Sequence, residues 1–513
     1  MNEAALQDAA ARRTALDPTR SFIVQAPAGS GKTELLIQRY LALLARVERP
    51  EAIVAMTFTR KAAGEIRERI VAALREPHPP ADAAPNRVLT ARLARGALER
   101  DAAAGWELVA HPSRLQIHTI DALCMALVRR APLTARQGAL PRPVERADAL
   151  YAEAAREDLR AAGPDDDGWR RLLDRLDNDA DRAVQLIAEL LAKREQWLRH
   201  LVGSDTRALR ARLENALEVE VAAELRELEA LLSPQLRAAL AESLQYAARN
   251  VAAAGDEQPL SVCVGAGGLP PASAQGLAQW RAIAGWLLKA DGKLRVSVNV
   301  RDGFPRHGAA PKAAMEALLA ELAQIDGVEK ALQTVGTLPA PRYEESAWSF
   351  IEALLAVLPR TVARLAVAFA RRSVMDFNQA TLVALDALAS EETPSELLLA
   401  LDARIEHLLI DEFQDTSFAQ CELVERLTAG WTAGDERTLF LVGDPMQSIY
   451  RFRDANVRLF LEARARRRIG GVALEPLTLA SNFRAQRGLV EWINRSFPRV
   501  LPPRDDPVRG AVA

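Results

Sequence analysis

Phe22-Ile23-Val24-Gln25-Ala26-Pro27-Ala28-Gly29-Ser30-Gly31-Lys32-Thr33 decides how the rest of the chain is read. The mostly apolar run 22–25 reads as a buried strand. A glycine-bearing turn follows, and 33–46 reads as a helix. Strand, glycine turn, Lys-Thr and helix in that order form a phosphate-binding loop, because backbone N–H groups and a helix N-terminus converge on one anion. Ala26, Pro27, Ala28, Gly29, Ser30, Gly31, Lys32 and Thr33 are expected to hold ATP. Lys32 would reach the β- and γ-phosphates, and the Thr33 hydroxyl would hold Mg²⁺. Ala26 stands where the strict pattern has glycine, while the Gly29-x-Gly31-Lys32-Thr33 core is intact.

Working outward, 4–15 reads as a helix and 51–56 as a second strand, tipped by Thr57-Phe58-Thr59. A helix begins at Arg60-Lys61. This alternation of strand and helix with short connections predicts an α/β fold with a parallel sheet. Ligands in such folds gather at the C-terminal ends of strands. Thr57, Phe58 and Thr59 sit at such an end, with Arg60 and Lys61 set to meet phosphates. A helix is expected at 89–103 and a third strand at 115–120, ending in His118-Thr119. From 131 to 385 the texture becomes helical, with helices expected at 147–162, 176–194, 206–258 and 314–327. Alternating apolar and polar residues at 294–300 predict one short strand there. Met375-Asp376-Phe377-Asn378-Gln379 leads into a helix at 380–390.

The sheet pattern then resumes. His407-Leu408-Leu409-Ile410 is apolar and ends in Asp411-Glu412. Asp411 suits Mg²⁺, and Glu412 suits orienting and deprotonating a water, as phosphoryl transfer requires. A strand at 438–442 ends in Gly443-Asp444-Pro445-Met446-Gln447, which places Gln447 to sense a γ-phosphate. Tyr450 and Phe452 follow, interleaved with Arg451 and Arg453, the composition of a base-stacking surface. A helix at 456–467, a strand at 474–480 and a helix at 486–497 follow in turn.

The 513 residues are 49% hydrophobic and 26% charged with a net charge of -2, an ordinary globular composition that neither signals nor excludes a nucleic-acid partner. Cys124, Cys263 and Cys421 lie far apart without a CxxC, so no structural metal or disulfide framework is expected. The six histidines are scattered. No signal-peptide pattern or run of 18 apolar residues occurs, and a cytoplasmic chain without a membrane partner is expected.

The ordered set Ala26–Thr33, Thr57–Ala62, His118–Cys124, Asp411–Ser417, Gly443–Arg453 and Asn482–Arg484 resembles the motifs of the UvrD/Rep helicase superfamily. Its phosphate loop, Asp411–Ser417 and Gly443–Arg453 most resemble the AddA/RecB branch. The resemblance implies ATP- and Mg²⁺-dependent 3′-to-5′ movement on single-stranded DNA in double-strand break repair and recombination. Lys32, Asp411, Glu412, Gln447 and Arg484 match its catalytic positions. Thr57, Phe58, Thr59, Lys61, His118, Thr119, Tyr450, Phe452 and Arg453 match its DNA path, to which Arg60 is added from its place at the strand tip. Gln7 is the candidate for the family's adenine-binding glutamine, and Asp454 stands where glycine is usual.

The implied architecture is a P-loop (RecA-like) motor lobe in two parts, 1–130 and 386–475. A mostly helical domain at 131–385 interrupts it, and 476–513 begins a second lobe. Later second-lobe motifs and the branch's nuclease are absent from these residues, so the chain reads as an N-terminal portion. Expected partners are single-stranded DNA, single/double-strand junctions and an AddB- or RecC/RecD-like subunit. The competing reading is a nucleotide-gated DNA-binding module or regulatory ATPase that unwinds nothing.

Overall fold

The computed structural model describes residues 8–130, 141–145, 147–201, 205–254, 259–265, 267–390, 393–394, 404–432, 434–450, 455–502, 505, 510 and 512. Gln7, Phe452, Arg453 and Asp454 lie outside the described residues. By its own contacts the chain divides into two compact units, residues 1–169, 176–200 and 357–513, and residues 170–175 and 201–356.

The first unit is built on β1 (Phe22–Gln25), β2 (Ile53–Thr57), β3 (Gln116–Thr119), β4 (His407–Ile410), β5 (Thr438–Gly443) and β6 (Glu475–Thr478). They form one parallel six-stranded sheet in the order β6-β1-β5-β4-β2-β3. Val24 lies opposite both Val442 and Leu477, and Met56 opposite His118 and Ile410. Both faces of the four inner strands are covered, so β1, β2, β4 and β5 are apolar at nearly every position rather than at alternate ones, while the edge strands β3 and β6 carry Gln116, His118, Glu475 and Thr478. Ile23, Met56, Leu408, Ile410, Leu439 and Leu441 face one core. Phe22, Val24, Ala55, Leu409, Phe440 and Val442 face the other.

Helices α1 (Ala9–Ala15), α2 (Lys32–Leu44), α3 (Arg60–Arg75) and α4 (Pro85–Ala104) precede β3, and α5 (Ile120–Arg130) follows it. Next come α6 (Asp148–Ala161), α7 (Ala180–Ala192), α8 (Phe377–Leu388), α9 (Phe418–Leu427) and α10 (Val457–Arg466). Leu36 and Tyr40 of α2 and Ile66 of α3 fill one core, while Leu127 of α5, Leu388 of α8 and Phe460 of α10 fill the other.

Residues 476–478, expected to open a second lobe, pair through β6 with Ile23–Gln25 and so complete the first sheet. Their backbone covers a side of β1 that would otherwise be an unpaired edge. Helices α6 and α7 and the parallel pair Arg142–Val144 and Val374–Asp376 also belong to this unit, although they fall inside the 131–385 span.

Arg39 ties the base of the sheet together. Its side chain is fully buried and donates to the carbonyls of Ala15 (2.8 Å), Asp17 and Arg20 (2.7 Å) and to Thr438 Oγ1 (3.2 Å). His407 Nδ1 shares Thr438 Oγ1 at 2.8 Å. Burial, then the charges of Arg39 and Arg46, push the His407 imidazole down to about 3. The unfolded chain therefore binds a proton that the folded chain refuses. The contribution of His407 to stability is at its plateau above about pH 6.5 and falls as pH drops towards about 3. The slope is at most about 1.4 kcal/mol per pH unit. Urea unfolding of the wild type and of His407→Asn at pH 7.5 and 5.5 checks this: at pH 5.5 the wild type should lose stability relative to the variant, while the opposing contribution of the raised Asp411 carboxyl is common to both.

The second unit is helical, with helices at Thr206–Leu231, Pro234–Ala253, Leu277–Leu287, Ala309–Leu322 and Val328–Thr337. Trp280, Trp286, Phe304 and Leu244 lie in its core. The single helix expected over 206–258 is broken at Ser233, whose Oγ caps Leu236 N (3.2 Å) ahead of Pro234. The strand expected at 294–300 does not form. Val296 is exposed, only Leu294 makes a bridge, and Asn299 caps a 3₁₀ turn over Val300–Asp302. The alternation there buries Leu294 and Val298 without a partner strand to pair the backbone.

Among the described residues, Glu345–Arg372 is long and apolar enough to cross a membrane, with a mean hydropathy of 1.7 over its most apolar window. It contains Pro359, and its Arg360 and Arg364 pair with Asp158 at 3.3 and 2.7 Å.

Candidate functional site

The turn after β1 is shaped by its glycines. Gly29 and Gly31 have φ of +78° and +79°, a conformation L side chains rarely adopt. A Cβ on Gly29 would lie 2.7 Å from Asn482 Oδ1 and 2.8 Å from Arg484 Cβ. Ala26 is buried, has no such φ, and donates its N–H to Gly443 O at 2.8 Å. The missing glycine of the strict pattern is therefore no conformational defect. Pro27 and Ala28 are exposed, Ser30 is buried, and Lys32 and Thr33 open α2 half-buried.

Asp411 and Glu412 leave β4 beside this turn. Lys32 Nζ and Glu412 Oε2 form an ion pair across 380 residues of chain. Glu412 adopts φ 55° and ψ 41°, a left-handed conformation costing roughly 1–3 kcal/mol for a residue with a side chain. Asp411 is buried, and burial, then the charge of Glu412, pushes its carboxyl up to about 7 against the pull of Lys32.

Gln414 and Asp444 connect the acids to the loop. Gln414 Nε2 donates to Glu412 Oε2 at 2.8 Å, and its Oε1 accepts from Asp444 N at 3.0 Å. Asp444 Oδ2 accepts from Ala28 N at 3.1 Å and from Gln447 Nε2. Gly443 is required here, since a Cβ would stand 2.4 Å from Gln414 Oε1. Lys32, Glu412 and Gln447 thus share one network. Gln414 and Asp444 had no role assigned from sequence; their signal was their place inside the Asp411–Ser417 and Gly443–Arg453 motifs.

The segment after β6 closes over the turn. Phe483 N donates to Gly29 O (2.8 Å), and Asn482 Nδ2 donates to Ala28 O (3.0 Å). Arg484 is exposed beside Gly29. Phe483, also without an assigned role in the sequence, lines a cavity of about 500 Å³ with Arg12, Gly31, Leu35 and Gln38.

A second group gathers at the ends of β2 and β3. Phe58 and Tyr450 rings lie 4.3 Å apart at 37°. Phe58 lines two cavities, of about 550 and 400 Å³, that share Asp121, Glu145 and Phe377. Thr59, Arg60, Thr119 and Arg129 line the larger. In the sequence Phe377 marks only the lead into a helix. Thr59 and Thr119 use their hydroxyls to cap α3 and α5, accepting from Ala62 N and Ala122 N at 3.1 Å each. Thr57 is buried opposite Thr119, and Lys61 is exposed. His118 stands apart from this group. It bonds Gln116 Oε1 at 3.0 Å and lines a different cavity with Arg49 and Arg404, because neighbouring strand residues point to opposite faces.

Residues 7–467 match the UvrD/REP helicase N-terminal domain. The chain is 27% identical over 511 residues to the A subunit of the ATP-dependent helicase/nuclease of Moorella thermoacetica, covering 94% of this chain and 34% of that protein. It is 26% identical over 519 residues to the corresponding protein of Levilactobacillus brevis, covering 94% and 37%. A shorter stretch of 143 residues is 36% identical to that of Pelotomaculum thermopropionicum, covering 26% and 11%. The chain spans about a third of the length of the first two of these curated relatives. The domain match runs from α1 through the inserted helices to the end of α10, taking in the Gly29–Lys32 turn and the acids that meet it, and the chain belongs to the UvrD/REP helicase family.

Proposed function

We propose that this chain hydrolyses ATP and uses the cycle to move 3′ to 5′ along single-stranded DNA, as the motor part of a helicase–nuclease in double-strand break repair and recombination. The observation that carries this reading is the segment Gly443–Tyr450. Asp444 and Gln447 join the network of Lys32 and Glu412, and Tyr450, three residues further on, stacks against Phe58. One short stretch therefore touches both the proposed nucleotide end and the proposed DNA end.

The cradle of Gly29 and Gly31 and the lysine and acids around it fit a magnesium nucleoside triphosphate. The N–H groups of Gly29 and Gly31 and the Lys32 side chain would hold its phosphates, since Pro27 has no N–H and those of Ala26 and Ala28 are taken by Gly443 O and Asp444 Oδ2; Thr33 and Asp411 would hold its Mg²⁺. Bound Mg²⁺ supplies positive charge to the phosphate oxygens. Glu412, held by Gln414, orients a water and takes its proton. Gln447 and Arg484 read the γ-phosphate. Phe483 and Arg12 would receive the base in their cavity, with Gln7 as a further base contact. Phe58, Tyr450, Phe377, Phe452 and Arg453 would stack on and grip bases. Thr59, Arg60 and Thr119, which line the larger cavity, and the exposed Lys61 would contact the strand, whereas the buried Thr57 and His118, on the other face, would support the ends of β2 and β3 from behind. A change of grip linked to phosphate state shifts the DNA-binding equilibrium, and this is the basis of stepping. The relatives are named as one subunit of a helicase/nuclease, which supports assembly with a second, AddB- or RecC/RecD-like subunit. A cytoplasmic setting follows from DNA as substrate.

The test is DNA-stimulated ATPase. Phe58→Ala and Tyr450→Ala should each weaken single-stranded DNA binding about 5- to 150-fold, from about 1–3 kcal/mol of stacking per base. ATP affinity without DNA should stay. Unchanged stimulation in both variants would remove the DNA role. Nucleotide-dependent DNA binding without translocation would favour the gated-module reading.

A further inference from the structure

We infer that Asp8 is a positioning residue for the nucleotide edge: it clamps residues 480–484 against the phosphate loop and so presents Phe483 and Arg484 to the nucleotide. This rests on the reading of Lys32 and the loop as the ATP site. Asp8 precedes α1 and is buried, with 4% of its surface exposed. Its Oδ2 accepts from Ala480 N at 2.8 Å and Ser481 N at 3.0 Å, the first partner lying 472 residues away. Its Oδ1 accepts from Ser481 Oγ at 2.8 Å. Arg12, one turn along α1, forms a two-pronged pair with the carboxylate at 3.0 and 2.9 Å.

Arg12 carries the clamp onward. Its Nη2 also donates to Ser30 O at 2.8 Å, inside the phosphate loop, and its guanidinium lies 5.1 Å from the Phe483 ring centroid. One buried carboxylate thus fixes three things at once: the end of β6, the register of Asn482–Arg484 over Gly29, and the arginine that backs the Phe483 ring. Charged hydrogen bonds with this geometry are the strong ones. Although burial opposes the charge, Arg12, Ser481 and the backbone at 480–481 hold the carboxyl well below the usual carboxylate range. An uncharged amide of the same shape would set its NH₂ against either the backbone donors or Arg12 Nε, and would lose the charge pair with Arg12.

The experiment measures MgATP and Mg-tripolyphosphate binding to the full chain, with single-stranded DNA binding without nucleotide alongside. Asp8→Asn should weaken ATP about 10-fold or more, the effect of losing one charged hydrogen bond. Tripolyphosphate, which has no base for Phe483, should weaken less than ATP. DNA affinity should be unchanged. Ser481→Ala removes one hydroxyl and should shift ATP in the same direction by a smaller factor; it carries the test if Asp8→Asn does not fold. Unchanged ATP affinity in folded variants overturns the inference, as does an equal loss of ATP and DNA affinity, which marks Asp8 as structural only. Failure of the wild-type chain to bind ATP would instead strike the underlying site reading.

Discussion

Glu412→Gln should lower kcat for ATP hydrolysis about 10²- to 10⁴-fold, the range for removing a positioned proton acceptor, while nucleotide binding survives. Gln414 still has an oxygen to donate to, so the backbone turn at Glu412 keeps its anchor. Lys32 loses the charge of its carboxylate partner and becomes more available to phosphate. Binding should therefore hold or tighten as turnover collapses. Removing the neighbouring negative charge also relieves part of what raises the Asp411 carboxyl. Steady-state ATPase beside equilibrium binding of MgATP separates the two effects. A variant that turns over normally would show that the water is activated elsewhere.

Lys32→Ala should do the opposite to binding. The lysine is the cation at the mouth of α2, with 14% of its side chain exposed. A cation in such a largely buried site acts through a lower effective dielectric than water. ATP affinity should fall about 10²-fold or more and kcat about 10²- to 10³-fold, the scale seen for a lost charge-stabilising group. Glu412 keeps Gln414 as a partner, so the variant should remain folded. The binding isotherm and a thermal melt together check this, and retained ATP binding with full turnover would remove the loop from the mechanism.

Much of this arrangement is written in local pattern. Gly29 and Gly31 announce a turn that only glycine makes without strain, and apolar runs at 22–25, 407–410 and 438–442 announce strands covered on both faces. Acids at the end of β4 and aromatics after β5 are legible for the same reason: each rests on conformational preferences of neighbouring residues, and those are encoded side by side. The alternation at 294–300 shows the limit, because a strand needs a distant backbone to pair with and the sequence names none.

Long-range partners belong to the folded sheet. Its order sets β1 between β5 and β6, strands more than 400 residues away in the chain, and that adjacency brings Asp444 to Ala28 and Asn482 to Gly29. Asp8, Arg12, Gln414, Phe377 and Phe483 acquire their places in the same way. Gln414 and Phe483 lie within motif segments, but Asp8, Arg12 and Phe377 carry no distinctive residue type or spacing of their own. Their roles come from hydrogen bonds, ring contacts and cavities between segments that meet only once the strands are in register, since such forces act over a few ångströms of space and take no account of distance along the chain.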